Sequence, residues 1–230
     1  MRIIGLIGGM SWESTVPYYR LINEFVKREL GGLHSARLIL YSVDFHDIAR
    51  CMDSADWQAV GDALAGAARS LQSAGAQALV LCTNTMHKVA PAIEAAVQIP
   101  LLHIVDATAS ELLRAGIGTI GLLGTRATME QEFYRERLSA RHGLRVLIPD
   151  RAEREQLQRI IFEELCLGRV LPASRTDLQR IMTALAAQGA EAIVLGCTEL
   201  AMLVGPEHST LPLFDTTSIH ARCAAQWALR

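Results

Sequence analysis

The amino-acid sequence predicts an α/β protein of two similar domains, each a parallel four-stranded sheet flanked by helices. Three observations support this fold class: short apolar runs alternate with longer amphipathic stretches, the second half of the chain repeats that pattern, and particular residues return with it. Strand followed by helix, repeated several times, indicates parallel strands.

Eight apolar runs are predicted as strands. In chain order they are IIGLIG, RLILYSV, ALVLC and LLHIV in the first half, and TIGLLG, LRVLIP, AIVLGC and LPLFD in the second. Helices are predicted between and after them, at 14–30, 56–74, 87–96, 107–115, 128–141, twice across 151–188, near 200 and from 217.

Three landmarks recur in the same order in both halves. The run Gly5-Leu-Ile-Gly8 returns as Gly121-Leu-Leu-Gly124, GAQALVLCTNT returns as GAEAIVLGCTE, and PLLHIVDAT is echoed by PLFDTTS. Such an internal repeat indicates that a βα domain was duplicated.

We assign 1–98 plus 211–230 to the first domain and 99–210 to the second. Because parallel α/β domains bind ligands beyond the carboxyl ends of their strands, we predict an active site in the interdomain cleft.

Charge and the absence of long apolar runs make a small molecule the expected partner. The net charge of −2, the pI near 6.4 and the lack of a basic cluster disfavour nucleic acid or an anionic membrane. The first apolar stretch is too short for a secretory signal and no later run reaches the ~20 residues of a membrane span, which predicts a cytoplasmic protein.

Cysteine and lysine usage bear on cofactors. The five cysteines form no C-x-x-C pair, so the sequence predicts neither a disulfide framework nor a structural zinc site. A pyridoxal phosphate enzyme needs a lysine for its Schiff base, and only Lys27 and Lys88 occur. The glycines near the start do not form G-x-G-x-x-G. We therefore expect no cofactor and no metal.

The repeat also singles out two candidate reactive positions. Alignment through GAQALVLCTNT and GAEAIVLGCTE places Thr83, rather than Cys82, opposite Cys197. Neighbouring residues of a strand point to opposite faces, so Cys82 and Thr83 cannot both face one ligand. One of the two must be structural.

Three motifs carry a family resemblance. GGMSWEST near the start, CTNTMH after one strand and GCTEL after its repeat resemble the aspartate/glutamate racemase family over essentially the whole chain. The resemblance implies two α/β domains with the substrate between them, a dimer, and two strand-end cysteines that work without a cofactor. The second of those cysteines falls on Cys197, whereas the first falls on Thr83, which departs from the family pattern.

The departure matters because racemisation removes a proton from one face of the α-carbon and returns one to the other face. We expect a helix start after Cys197 to lower the pKa of its thiol. A threonine hydroxyl is far harder to ionise. We therefore predict that Thr83 donates a proton, relays a proton or only positions the substrate, and that the two enantiomers turn over unequally.

Substrate-binding groups are predicted at the strand-end turns, where backbone N–H groups at helix starts can hold a carboxylate. The candidates are Met10, Ser11, Asn84, Thr85, Thr198 and Glu199. The stretch SVDFHDIARCM resembles a family segment that lines the pocket, which adds Met52 and, more weakly, Asp47; His87 is a further candidate wall residue.

These observations favour a cofactor-independent isomerase that racemises aspartate or glutamate, with Cys197 and Thr83 as the catalytic pair. Its substrate range could extend to other amino acids. Two alternatives stay open. One is a one-cysteine malonate-type decarboxylase or isomerase of the same superfamily. The other is a non-catalytic protein that binds a carboxylate ligand.

Overall fold

The computed structural model describes all 230 residues. The chain divides into two compact units: Met1–Ile104 with His220–Arg230, and Val105–Ile219. Each unit contains one four-stranded sheet whose strands pair in parallel. The predicted fold class is confirmed.

The first sheet has the strand order β2-β1-β3-β4. Its strands are β1 (Ile4–Gly8), β2 (Leu38–Ser42), β3 (Ala78–Leu81) and β4 (Leu101–Leu102). The helices that connect or follow them are α1 (Trp12–Leu30), α2 (Phe45–Asp53), α3 (Trp57–Ser73), α4 (Ala90–Ala95) and α5 (Ile104–Arg114), and a short 3₁₀ helix spans Thr85–Val89.

The second sheet has the equivalent order, β6-β5-β7-β8, which agrees with an internal duplication. Its strands are β5 (Thr119–Gly124), β6 (Arg145–Leu147), β7 (Ala192–Gly196) and β8 (Leu213–Asp215). The helices are α6 (Arg126–Glu130), α7 (Glu132–His142), α8 (Arg151–Arg159), α9 (Pro172–Ala187), α10 (Leu200–Leu203) and α11 (Thr216–Leu229).

Side-chain caps and apolar faces account for where these helices form. The Asp56 carboxylate accepts the Ala59 N–H at 3.0 Å and starts α3. That helix then buries Val60, Leu64, Ala67, Ala68 and Leu71 at the spacing of one helical face. Asp150 and Glu153 form a capping box that starts α8.

The repeated glycines Gly5 and Gly121 lie in the central strands β1 and β5, where neighbouring side chains pack closely onto the backbone. A Cβ at Gly5 would lie 2.9 Å from the Cβ of Ala76, and one at Gly121 would lie 2.8 Å from Ile193 Cδ1 and 2.9 Å from Leu185 Cδ1. These distances are shorter than real Cβ contacts. Both positions therefore exclude any side chain, which is why the same residue type returns in the repeat.

The structure differs from the sequence-based prediction at several elements. Helix α2 occupies a stretch that was predicted only as a pocket segment. The run LLHIV forms just two strand residues, because α5 already begins at Ile104, whose N–H bonds to the ring of His87. The helix predicted at 128–141 is two helices that meet at Gln131, whose backbone is extended.

The domain boundaries also differ from the predicted 98/99 and 210/211. Strand β4 pairs with β3 and so belongs to the first unit, while β8 pairs with β7 and belongs to the second. The division therefore falls after Ile104 and after Ile219, so that α11 starts in the second unit and ends in the first. None of the helices is both long and apolar enough to span a membrane.

Candidate active site

In the first unit, the turns after β1 and β3 lie at the same edge of the sheet. These strands are neighbours, with Ile7 paired to Leu81. The turn after β1 carries Met10 and Ser11, and the turn after β3 carries Thr83, Asn84 and Thr85; all five residues are buried. Five of the predicted site residues thus come together at the carboxyl edge of one sheet.

Thr15 organises the turn after β1. Its hydroxyl accepts the Gly9 N–H at 2.9 Å and donates to the Ser11 carbonyl at 2.9 Å. The Ser11 hydroxyl accepts the Ser14 N–H at 3.4 Å and caps α1. At Gly9, φ is +93° and a Cβ would collide with the backbone of Val43, so this turn requires glycine.

The turn after β3 presents Thr83. The backbone N–H of Thr83 donates to Leu81, and its carbonyl accepts a hydrogen bond from His87. Its hydroxyl forms no hydrogen bond within the chain, although only 8% of the residue is exposed. Asn84 does not cap the following 3₁₀ helix with its side chain. The first observation is compatible with a Thr83 hydroxyl that faces a ligand.

Cys82 differs from Thr83 in the way the strand pleat predicts. It is fully buried in an apolar cluster with Ile4, Leu6 and Val80, and its thiol donates to the Val80 carbonyl at 3.9 Å. Burial raises its pKa far above the ordinary thiol value. Cys82 is therefore a structural residue.

Met10 and Met52 lie in a shared apolar cluster of the first unit. Met10 is buried, and Met52 is half-buried on α2 and packs against the same cluster. Asp47, on the same helix, is exposed. The two methionines thus have a packing role whether or not they also contact a substrate.

In the second unit, the turn after β7 brings a thiol to a carboxylate. The thiol of Cys197 donates to Oε2 of Glu199 at 3.0 Å, and the hydroxyl of Thr198 donates to the same oxygen at 2.5 Å. Cys197 and Glu199 are both buried, while Thr198 is half-buried. The hydroxyl of Thr216, at the start of α11, donates to the Leu195 carbonyl at 2.8 Å and ties this helix to the end of β7.

The expected fall in the pKa of the Cys197 thiol is wrong in direction. Burial raises that pKa well above the ordinary thiol value, and the charge of Glu199 raises it further. The helix that follows, α10, has only four residues and offers a weak dipole. Cys197 is consequently a thiol at neutral pH and needs a proton acceptor before it can act as a base.

The sequence analysis did not single out two further groups of side chains near these turns. The thiol of Cys166 approaches Oε1 of Glu199 at 3.8 Å, which places it beside the Cys197 pair. His103 and His220 are buried beside His87, so His87 belongs to a buried cluster. The echo between PLLHIVDAT and PLFDTTS pairs position 103 with Asp215, the last residue of β8, but no local pattern links positions 87, 103 and 220.

No group of three or more His, Cys, Asp or Glu side chains is arranged to hold a metal ion. The positions of the two lysines are defined by their own elements, and Lys88 lies in the 3₁₀ helix Thr85–Val89 that follows the turn after β3. Lys27 is in the last turn of α1, and the Lys88 amine stacks 3.8 Å from the ring centre of Trp57.

Comparison with known proteins agrees with this arrangement. A family model described as Asp/Glu/Hydantoin racemase matches residues 7–224. The chain is similar to a crystal structure of a candidate Asp/Glu racemase from Yersinia pestis, with 57% identity, full coverage of both chains and a TM-score of 0.95. It is also similar to an aspartate racemase homologue from Pyrococcus horikoshii OT3, with 34% identity, full coverage of both chains and a TM-score of 0.87.

At the level of sequence, the broad specificity amino-acid racemase RacX of Bacillus subtilis strain 168 is 24% identical over 226 residues, which cover 96% of this chain and 95% of that protein. Two α/β units that carry Thr83 and Cys197 after matching strands, together with the family match, define the class of protein. The chain belongs to the Asp/Glu/Hydantoin racemase family, and the resemblance inferred from its three motifs is confirmed.

Proposed function

We propose that this protein is a cofactor-independent racemase that interconverts the L and D forms of aspartate or glutamate by removing and returning the α-proton. The observation that carries the proposal is the buried Cys197–Glu199 pair, with 3.0 Å between Sγ and Oε2, at the strand end where the family motif GCTE ends β7. The family match and the relatives named above support the reaction class.

The pair provides a route for proton removal in which every proton is accounted for. The Cys197 thiol passes its proton to the Glu199 carboxylate, and the resulting thiolate takes the α-proton of the substrate. Glu199 then releases its proton to solvent, which restores the resting pair and balances the proton that Thr83 takes up. In the reverse direction, the thiol protonates the planar carbanion and Glu199 returns its proton to sulfur. A raised thiol pKa suits the second of these steps, because the thiol form is the proton donor.

Thr83 is proposed to serve the opposite face of the α-carbon. Its unpartnered hydroxyl can give a proton to the carbanion and take a replacement from solvent. Microscopic reversibility then requires Thr83 to assist proton removal from the other enantiomer, which is harder for a hydroxyl than for a thiol. We therefore propose unequal turnover of the two enantiomers, with Met10, Ser11, Met52, Asn84, Thr85 and Thr198 as substrate-binding candidates.

Substrate range and assembly are parts of the same proposal. The name of RacX indicates that a relative covering almost the whole chain accepts many amino acids, so non-acidic substrates are included. We also propose a homodimer, as the family resemblance implies, which size-exclusion chromatography with light scattering can test.

The test is α-proton exchange in deuterated buffer without added cofactor. L- and D-aspartate and L- and D-glutamate are each incubated with the wild type, Cys197→Ser and the matched control Cys82→Ala. NMR follows loss of the α-proton and chiral chromatography follows inversion. We expect exchange and inversion in the wild type and in Cys82→Ala, and loss of both in Cys197→Ser. Exchange that persists in Cys197→Ser would contradict the assignment.

One observation favours a second candidate. The matching turns carry one thiol rather than two, since Thr83 stands where the family has its first cysteine. A malonate-type decarboxylase needs only one proton donor, because loss of carbon dioxide leaves a carbanion to be protonated from a single face. Carbon dioxide release from a substituted malonate, with no exchange of amino-acid α-protons, would support this candidate.

Ligand binding without turnover that survives Cys197→Ala would instead indicate a binding protein.

A further inference from the structure

Three buried histidines lie together in the first unit, and one of them, His87, bonds to the backbone of Thr83. His87 follows β3, His103 follows β4, and His220 lies on α11; their exposed fractions are 2%, 6% and 0%. The rings of His87 and His103 have centroids 4.4 Å apart, and those of His87 and His220 are 5.9 Å apart. We call these residues the histidine cluster.

The partners of His87 determine which of its nitrogens carries the proton. Nε2 lies 3.3 Å from the Ile104 N–H, which can only donate, so Nε2 must be the acceptor. Nδ1 lies 2.8 Å from the Thr83 carbonyl, which can only accept, so Nδ1 must carry the hydrogen. His87 is therefore a neutral imidazole that uses both nitrogens.

His220 is held in the same manner. Its Nε2 donates to the Leu102 carbonyl at 2.6 Å, and its Nδ1 accepts from the Tyr18 hydroxyl at 2.9 Å. The pKa values of both His87 and His220 are lowered, mainly because burial disfavours the charged form. His87 and His220 are thus neutral, hydrogen-bonded imidazoles, and His87 is bonded to the turn after β3.

His87 bridges two neighbouring strand ends. Its own segment follows β3, and Ile104 starts α5 immediately after β4. Since the Thr83 hydroxyl bonds to no atom of the chain, its position depends on the backbone of its turn. The Nδ1 bond to the Thr83 carbonyl is a side-chain contact that restrains this backbone directly at Thr83.

We propose that His87 is a positioning residue for Thr83: it holds the Thr83 carbonyl through Nδ1 and the start of α5 through Nε2, and so determines where the Thr83 hydroxyl is presented. The inference rests on the role given to Thr83 in the proposed function. His87 acts through the Thr83 backbone and is not itself a wall of the substrate site.

Two substitutions separate the two bonds of His87. The amide nitrogen of His87→Asn can occupy the place of Nδ1 and keep the bond to Thr83, whereas the amide of His87→Gln reaches the place of Nε2 and keeps the bond to Ile104. If positioning of Thr83 is the function of His87, the asparagine variant retains activity and the glutamine variant does not.

The discriminating measurement is inversion compared with exchange. For the enantiomer whose α-proton Cys197 removes, exchange with deuterium needs only the Cys197 face, while inversion also needs Thr83. We expect His87→Gln and Thr83→Ala each to lower the ratio of inversion to exchange by about tenfold or more, and His87→Asn to keep the wild-type ratio.

Other outcomes would overturn the inference in distinguishable ways. If His87→Gln and His87→Asn lower exchange and inversion equally, in proportion to a loss of thermal stability, His87 only fills space. If the wild type exchanges no amino-acid α-proton, the proposed function fails first and the role of His87 with it. Imidazole ¹⁵N NMR of the wild type needs no variant and no substrate; a protonated Nε2 on His87 would refute the bonding on which the inference depends.

Discussion

The thiol of Cys197 and the carboxylate of Glu199 form a buried donor–acceptor pair with 3.0 Å between sulfur and oxygen. The carboxylate has two opposing effects. Its charge raises the pKa of the thiol, which disfavours the thiolate, and its oxygen is the one atom placed to receive the thiol proton. Glu199→Gln removes both effects at once, so the rate of racemisation reports the loss of the proton acceptor and the thiol titration reports the loss of the charge.

Glu199→Gln is expected to lower racemisation by about 100-fold, because the glutamine amide cannot accept the thiol proton. The measurement is the initial rate of inversion for both enantiomers. Glu163→Gln, at an exposed glutamate of the same unit, is the control and should retain wild-type rates. Wild-type turnover by Glu199→Gln would show that solvent, rather than Glu199, receives the proton.

In Glu199→Gln the thiol of Cys197 should ionise more easily although the variant is less active. In the wild type, alkylation of Cys197 by iodoacetamide is expected to stay slow until the pH rises above the ordinary thiol value of 9.0. In Glu199→Gln the midpoint should fall, because the neighbouring negative charge is gone. Mass spectrometry of the peptide that contains Cys197 follows the reaction. A midpoint that rises in Glu199→Gln would contradict the electrostatic role given to Glu199.

The sequence predicted the sheets and the placing of Thr83 and Cys197 at strand ends, because both follow from local periodicity and from the internal repeat. It did not predict the state of the thiol, since that depends on how deeply Cys197 is buried and on the orientation of the Glu199 side chain. The early start of α5 was missed for a similar reason. Its first N–H is bound by His87, seventeen residues earlier in the chain, and no local pattern reports that contact.

Protonation of the histidine cluster should weaken the fold in acid. The pKa of His220 is lowered to about 4 from the ordinary 6.5, mainly by burial. Below pH 6.5 the unfolded chain binds a proton that the folded chain excludes, so stability is complete above that pH and is lost as the pH falls towards 4. The full loss from this residue is on the order of 3 kcal/mol.

Urea denaturation at several pH values between 4 and 7 tests this expectation. His220→Gln, which has no group that titrates in this range, should flatten the dependence of unfolding free energy on pH. His34→Gln, at an exposed histidine, should leave the wild-type slope unchanged. Equal slopes in the wild type and His220→Gln would mean that His220 does not carry the acid sensitivity.

Two adjacent threonines at the start of α11 should respond oppositely to the same substitution. Oγ1 of Thr217 is buried without a hydrogen-bond partner in the chain, whereas Oγ1 of Thr216 donates to the Leu195 carbonyl at 2.8 Å. Valine has nearly the shape of threonine but lacks the hydroxyl. A buried polar group without a partner costs about 1–3 kcal/mol, whereas a formed hydrogen bond contributes about 1 kcal/mol.

We therefore expect Thr217→Val to raise the free energy of unfolding by about 1 kcal/mol. Thr216→Val should lower it by about the same amount or more, because the Leu195 carbonyl would lose its donor. Urea denaturation of both variants beside the wild type gives the comparison. A loss of stability in Thr217→Val equal to that in Thr216→Val would show that the Thr217 hydroxyl is bonded in solution.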